Sequence, residues 1–179
     1  MPTAGSATEA KAEAALEMTF AEVLRANQSM VFSLAYHFLR DRGAAEEVAQ
    51  DVFLQLYRKI DGLEGGKHVI FWLRKVTSHR CIDYARKRGA HFMIALEDAA
   101  EPSAVEQQGD PLLNRRLRQL IATLPEKPRM VMVLRYQEDL TPEEISDLLE
   151  MPVRTVKSHL QRSLAILREK IDRSMGDIR

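Results

Sequence analysis

Apolar residues recur at three- and four-residue intervals along nearly the whole chain, and no stretch shows the strict alternation of a half-buried strand. That periodicity points to an all-α fold. Interruptions in it divide the 179 residues into parts. Residues 1–15, rich in Ala, Glu, Thr and Ser, are expected to form a mobile leader. A first helix is predicted from about Leu16 to Leu39 and is broken by Asp41-Arg42-Gly43. A second begins near Ala44, carries Val48, Val52, Leu56 and Ile60 on one stripe, and stops at Asp61-Gly62-Leu63-Glu64-Gly65-Gly66. A third runs from about Lys67 to Lys87. These three make one bundle over 16–91. The stretch 92–110 is acidic, leads into Pro111, and contains Pro102 and Gln107-Gln108-Gly109, so it is expected to be a flexible linker. A second helical domain over 111–179 follows, with helices near Pro111–Thr123, Pro128–Tyr136, Pro142–Glu150 and Val153–Asp172.

Composition narrows the function classes. Hydrophobic residues at 45% and charged residues at 29% are ordinary for a soluble globular chain. No run approaches the roughly 18 apolar residues of a membrane span, so no membrane insertion is expected. The first residues lack a basic segment followed by an apolar core, which argues against a signal peptide. A single cysteine, Cys81, cannot form an internal disulfide or a metal cluster. These features point to the cytoplasm, with no metal and no cofactor. The chain has no Gly-rich phosphate loop, metal-ligand spacing or nucleophile motif, so an enzyme is not expected.

The formal net charge is zero, but its distribution is uneven. Lys67, Arg74, Lys75, Arg80, Arg86, Lys87 and Arg88 face one acid, Asp83, between Lys67 and His91. Glu97, Asp98, Glu101, Glu106 and Asp110 follow without a base, and bases dominate again from Arg154 to Arg173. Two basic segments around an acidic one suit two surfaces for a polyanion. Two solvated helix faces would give the same charge pattern.

The second domain carries the sharper signal. In Leu140-Thr141-Pro142-Glu143-Glu144-Ile145, Thr141 fits an N-cap and Pro142 the first helical position. Glu144 completes a capping box, and Leu140 and Ile145 can form a hydrophobic staple. With the short Met151-Pro152 connection, the two helices here read as a helix-turn-helix. Val153, Val156, Leu160, Leu164 and Leu167 form the apolar stripe of the second helix. At about 100° per residue, Arg154, Thr155, Ser158 and Arg162 gather opposite, with Lys157 and His159 at the margins. A helix that reads the major groove needs that division, one face locked to its partner helix and one offering donors. An amphipathic helix wetted by solvent is the plainer alternative.

The third helix interleaves aromatics and bases from Val69 to Arg88. Aromatic faces stack on unpaired bases while Lys and Arg follow the backbone, the chemistry that holds single-stranded DNA. Phe71 and Trp72 could equally be core anchors of a small bundle.

Together these segments resemble a known family. Ala45-Glu46-Glu47-Val48-Ala49-Gln50-Asp51-Val52-Phe53, then Phe71-Trp72-Leu73 and Cys81-Ile82-Asp83-Tyr84-Ala85-Arg86, look like region 2 of sigma factors. Leu124-Pro125, Val133-Leu134-Arg135-Tyr136 and Thr155-Val156-Lys157-Ser158 look like region 4. In this order, over residues 24–172, they resemble the extracytoplasmic-function (ECF) group of the sigma-70 family. The resemblance implies a transcription initiation factor that directs core RNA polymerase to promoter DNA, docking on the beta-prime clamp helices and the beta flap. Anti-sigma factors are common partners in that group. Glu47, Gln50 and Asp51 match the clamp-docking positions. Lys67, His68, Trp72, Arg74, Lys75, Ser78, His79, Arg80, Arg86 and Lys87 fall in the part that melts and reads the −10 element, where the family extrudes a base. Arg154, Thr155, Lys157, Ser158, His159 and Arg162 match the −35 reader. The acidic linker matches the segment that threads the polymerase.

The chain departs from the family pattern in places. His79 stands where Asn is common, Glu150 and Arg154 where Gly is frequent, and Gln137-Glu138-Asp139 replaces an aromatic-containing stretch. A non-glycine residue in a left-handed turn costs about 1 kcal/mol. A dimeric helix-turn-helix regulator working without polymerase would account for residues 142–172. It leaves Glu47, Gln50, Asp51 and the Phe71–Arg88 segment unexplained, and it would read two half-sites of matched symmetry. A further expectation is that the chain alone binds promoter DNA poorly, its basic segments masked by the acidic linker and its domains free to misalign.

Overall fold

The computed structural model describes residues 5–63, 65–88 and 119–176. Within them every regular element is helical. The linker over 92–110 and most of the helix expected near Pro111–Thr123 lie outside the described residues.

The first half is built from α1 (Gly5–Leu39), α2 (Arg42–Lys59), a short 3₁₀ turn (Ile60–Gly62) and α3 (Gly65–Arg88). α1 begins at Gly5 rather than near Leu16. Its first turns are rich in Ala and Glu, which favour helix on intrinsic propensity without needing an apolar stripe. It ends at Arg40, whose φ of 58° lies in the left-handed region. Asp41 then caps α2, its side chain accepting from the Ala44 backbone N–H at 2.9 Å. α3 starts at Gly65 with φ 77°, a conformation open to glycine. Lys67 and His68 therefore sit in the first turn of α3. The three helices pack pairwise around Leu34, Phe38, Val52, Leu56 and Leu73, all fully buried.

The second half contains α4 (Glu126–Tyr136), α5 (Pro142–Leu149) and α6 (Val153–Gly176). α4 and α5 both pack on α6, and Met132 meets Leu167 and Leu124 in a small cluster. The halves are not free of one another. α4 lies against α1 and α3, and α5 lies against α3. One hydrophobic cluster runs from Leu34, Phe38 and Leu73 through Met130, Leu134 and Leu148. Arg129 is 6% exposed and lies 5.2 Å from the centre of the Phe38 ring. Its Nε and an Nη donate to the Leu124 carbonyl at 3.2 and 2.9 Å. The expectation of freely misaligning domains thus differs from the observed packing. Apolar side chains of α4 and α5 lie toward the first half, and burying them favours contact.

Candidate nucleic-acid interface

The helix-turn-helix is set by local chemistry. Thr141 Oγ1 accepts from the Glu144 N–H at 3.2 Å, and the Thr141 N–H donates back to Glu144 Oε2 at 2.7 Å. Leu140 and Ile145 are buried beside this box. The Thr141 backbone N–H first, and the Thr141 side chain second, hold the Glu144 carboxyl below its usual range. At the other end of α5, Glu150 takes φ 52° and ψ 47°. The Met151 N–H donates to the Ser146 carbonyl at 3.1 Å, and Ser146 Oγ donates to the Met151 carbonyl at 2.6 Å. The turn is thereby tied at both edges, which fixes the angle at which α6 leaves it.

Val156 and Leu167 on α6 are buried, whereas Arg154, Lys157 and Arg162 are exposed. Thr155, Ser158 and His159 are half-buried at the edges of that face. Lys157 Nζ lies 3.2 Å from Glu143 Oε1, a solvent-exposed pair that a phosphate can compete for. Partial burial first, then Arg162 and Lys127, push His159 below its ordinary value. Burial and these neighbouring cations thus favour the neutral imidazole on this face.

The −10 candidates on α3 divide between different surroundings. Lys67 and His68 are exposed at its start. Trp72 is half-buried against the core, while Phe71 is exposed. Arg74 Nε donates to Glu138 Oε2 at 2.9 Å, and Lys75 Nζ to Glu150 Oε1 at 2.8 Å. His79 Nε2 lies 3.3 Å from the Leu148 carbonyl. Ser78 is fully buried and its hydroxyl has no partner, so it is not available to DNA in this arrangement. It stands three and four residues beyond Lys75 and Arg74, on the same helix face that the second half covers.

Arg80, Arg86 and Lys87 are exposed. Arg80 and Lys87 share a cleft of about 360 Å³ with Glu47, Asp51, Asp83, Tyr84 and Arg88. Tyr84 Oη donates to Glu47 Oε2 at 3.2 Å, and Arg86 lies 3.6 Å from Asp83. Glu47, Gln50 and Asp51 are all exposed, while their neighbours Val48 and Val52 are buried.

Sequence reasoning did not identify Glu138 and Glu150 as partners of α3. Glu150 carried one signal, a non-glycine residue at a turn that favours glycine. It also missed an apolar groove of about 900 Å³ between α1 and α2, lined in part by Phe20, Leu24, Phe53, Leu54 and Tyr57. Leu54 and Tyr57 are 58% and 49% exposed, and they follow Gln50 by one and two helical turns. Among the described residues no helix is long and apolar enough to cross a membrane, and no group of side chains is placed to hold a metal ion.

Comparison with known proteins gives consistent matches. Sigma-70 region 2 matches residues 23–91, and sigma-70 region 4 matches residues 114–167. The chain is 28% identical over 165 residues to the ECF RNA polymerase sigma factor SigW of Bacillus subtilis, covering 85% of this chain and 88% of that one. It is 30% identical over 158 residues to the ECF RNA polymerase sigma-E factor of Escherichia coli K12, covering 81% and 80%. Its fold is similar to that of the sigma factor RpoE from Bartonella quintana, solved in complex with the anti-sigma factor NepR. That match has a TM-score of 0.65 at 20% identity and covers 86% of this chain and 97% of that one.

Proposed function

Because this chain belongs to the ECF group of the sigma-70 family and acts as a sigma factor in transcription initiation, we propose that three polar faces divide the work of promoter recognition. Glu47, Gln50 and Asp51 dock on the beta-prime clamp helices of core RNA polymerase. The apolar groove past Gln50 adds buried area to that contact. The α6 face of Arg154, Thr155, Lys157, Ser158, His159 and Arg162 enters the major groove of the −35 element. The start and basic face of α3 hold the unpaired −10 strand. The second half reaches the beta flap, and an anti-sigma factor is a further partner.

The single observation that carries this reading is the orientation of α6. Its apolar stripe is locked inward by the helix-turn-helix, while Arg154, Lys157 and Arg162 stay accessible. Arginine there can pair with guanine in bidentate fashion, and each base contact discriminates by about 1–3 kcal/mol.

Promoter footprinting with a permanganate probe for unpaired thymine tests the division. In holoenzyme, Arg162→Ala should lower promoter occupancy, whereas Lys67→Ala should leave more of the bound complexes closed. A premelted −10 bubble should rescue Lys67→Ala more than Arg162→Ala. Equal rescue of both would show that the faces do not divide the work in this way.

A further inference from the structure

A non-glycine residue in left-handed backbone is strained, and it persists where its surroundings hold it. Glu150 occupies that conformation at the turn of the helix-turn-helix, where glycine would carry no steric strain. Its carboxylate reaches across to the other half, 2.8 Å from Lys75 Nζ and 3.9 Å from His79 Nε2. Lys75 holds that carboxyl below the usual carboxylate range through the hydrogen bond first and its charge second. Twelve residues earlier in the same half, just past the end of α4, Glu138 takes Arg74 at 2.9 Å. Its side chain is 9% exposed and that of Arg74 26%, so this pair is partly shielded from water. On the same face of α3 lies Ser78, buried with an unpartnered hydroxyl.

We infer that Glu138 and Glu150 form a clasp that covers the single-strand-binding face of α3 in the free protein while the duplex-reading face of α6 stays open. The inference rests on the reading of α3 proposed above. The two carboxylates stand where phosphates of an unpaired strand would go, so clasp and DNA compete for the same donors. Opening restores Arg74, Lys75, Ser78 and His79 together, because one helix face carries them. Closing leaves Arg154, Lys157 and Arg162 exposed. The free chain is therefore competent for duplex before it is competent for single strand. Apparent affinity for single-stranded DNA falls with the fraction of open chains. It therefore registers the clasp even while closed chains predominate.

Fluorescence anisotropy of the whole chain with labelled oligothymidylate reads that fraction. Glu150→Gly, which removes both the carboxylate and the strain, and Glu138→Gln should each tighten binding by up to about fivefold, the range of such ion pairs. Binding to a labelled duplex should not change. A second measurement joins Lys75→Cys to Glu150→Cys with a short bismaleimide, the same variant capped with N-ethylmaleimide serving as control. The cross-linked chain should lose oligothymidylate and keep duplex. Failure to cross-link, or equal oligothymidylate binding by cross-linked and capped chains, overturns the clasp. Unchanged strand opening by Lys67→Ala and Arg74→Ala holoenzymes overturns the reading of α3 instead, and leaves cross-linking unaffected.

Discussion

At the scale of single residues, α2 shows how burial and function alternate within one turn. Val48 and Val52 are buried, while Glu47, Gln50 and Asp51 point to solvent. Charge reversal at Asp51 should therefore leave the fold intact, with a stability change of about 0.5 kcal/mol or less. Asp51→Lys is expected to weaken binding to core polymerase, measured by competition against the unmodified chain. Equal affinity would remove Asp51 from the docking face. Cys81 illustrates the opposite case: burial pushes its thiol well above the ordinary range, and it serves as a small apolar residue of α3.

Among the elements, those defined by local chemistry were the legible ones. The start of α5 is written in consecutive residues, and the structure contains the Thr141–Glu144 capping box that the sequence spells. Thr141→Ala should cost about 1 kcal/mol. That loss should appear as a lower urea midpoint with an unchanged slope, since the core is untouched. A changed slope would instead indicate that α5 no longer folds with the rest. What was hidden in the sequence is tertiary. Arg74 and Glu138 are 64 residues apart in sequence, and Lys75 and Glu150 are 75 apart, so no local pattern joins them. Ser78 looked like a surface donor because its burial comes from packing. The start of α1 was missed because its early turns are helical by composition, without the apolar stripe used to locate the others.

For the molecule as a whole, the docked halves change the reason for an earlier expectation. The sequence alone ascribes weak promoter binding by the chain to a masking acidic linker and to domains free to misalign. Among the described residues, the second half sets two acids against α3, Glu138 and Glu150. Isolated chain should bind a promoter fragment weakly in a mobility-shift assay. Adding core polymerase should tighten binding, as docking fixes the spacing of the readers and raises the effective concentration of the second once the first is bound. Tight, sequence-specific binding without polymerase would point to the dimeric regulator. The hydrophobic cluster that runs through both halves bears on lifetime in the cell. A chain opened with nothing to cover Phe38, Leu73, Met130 and Leu148 presents an apolar surface, the kind that proteases and aggregation select. Chains that part before meeting polymerase are expected to be removed faster, so the standing amount of open factor should follow the supply of polymerase that binds it.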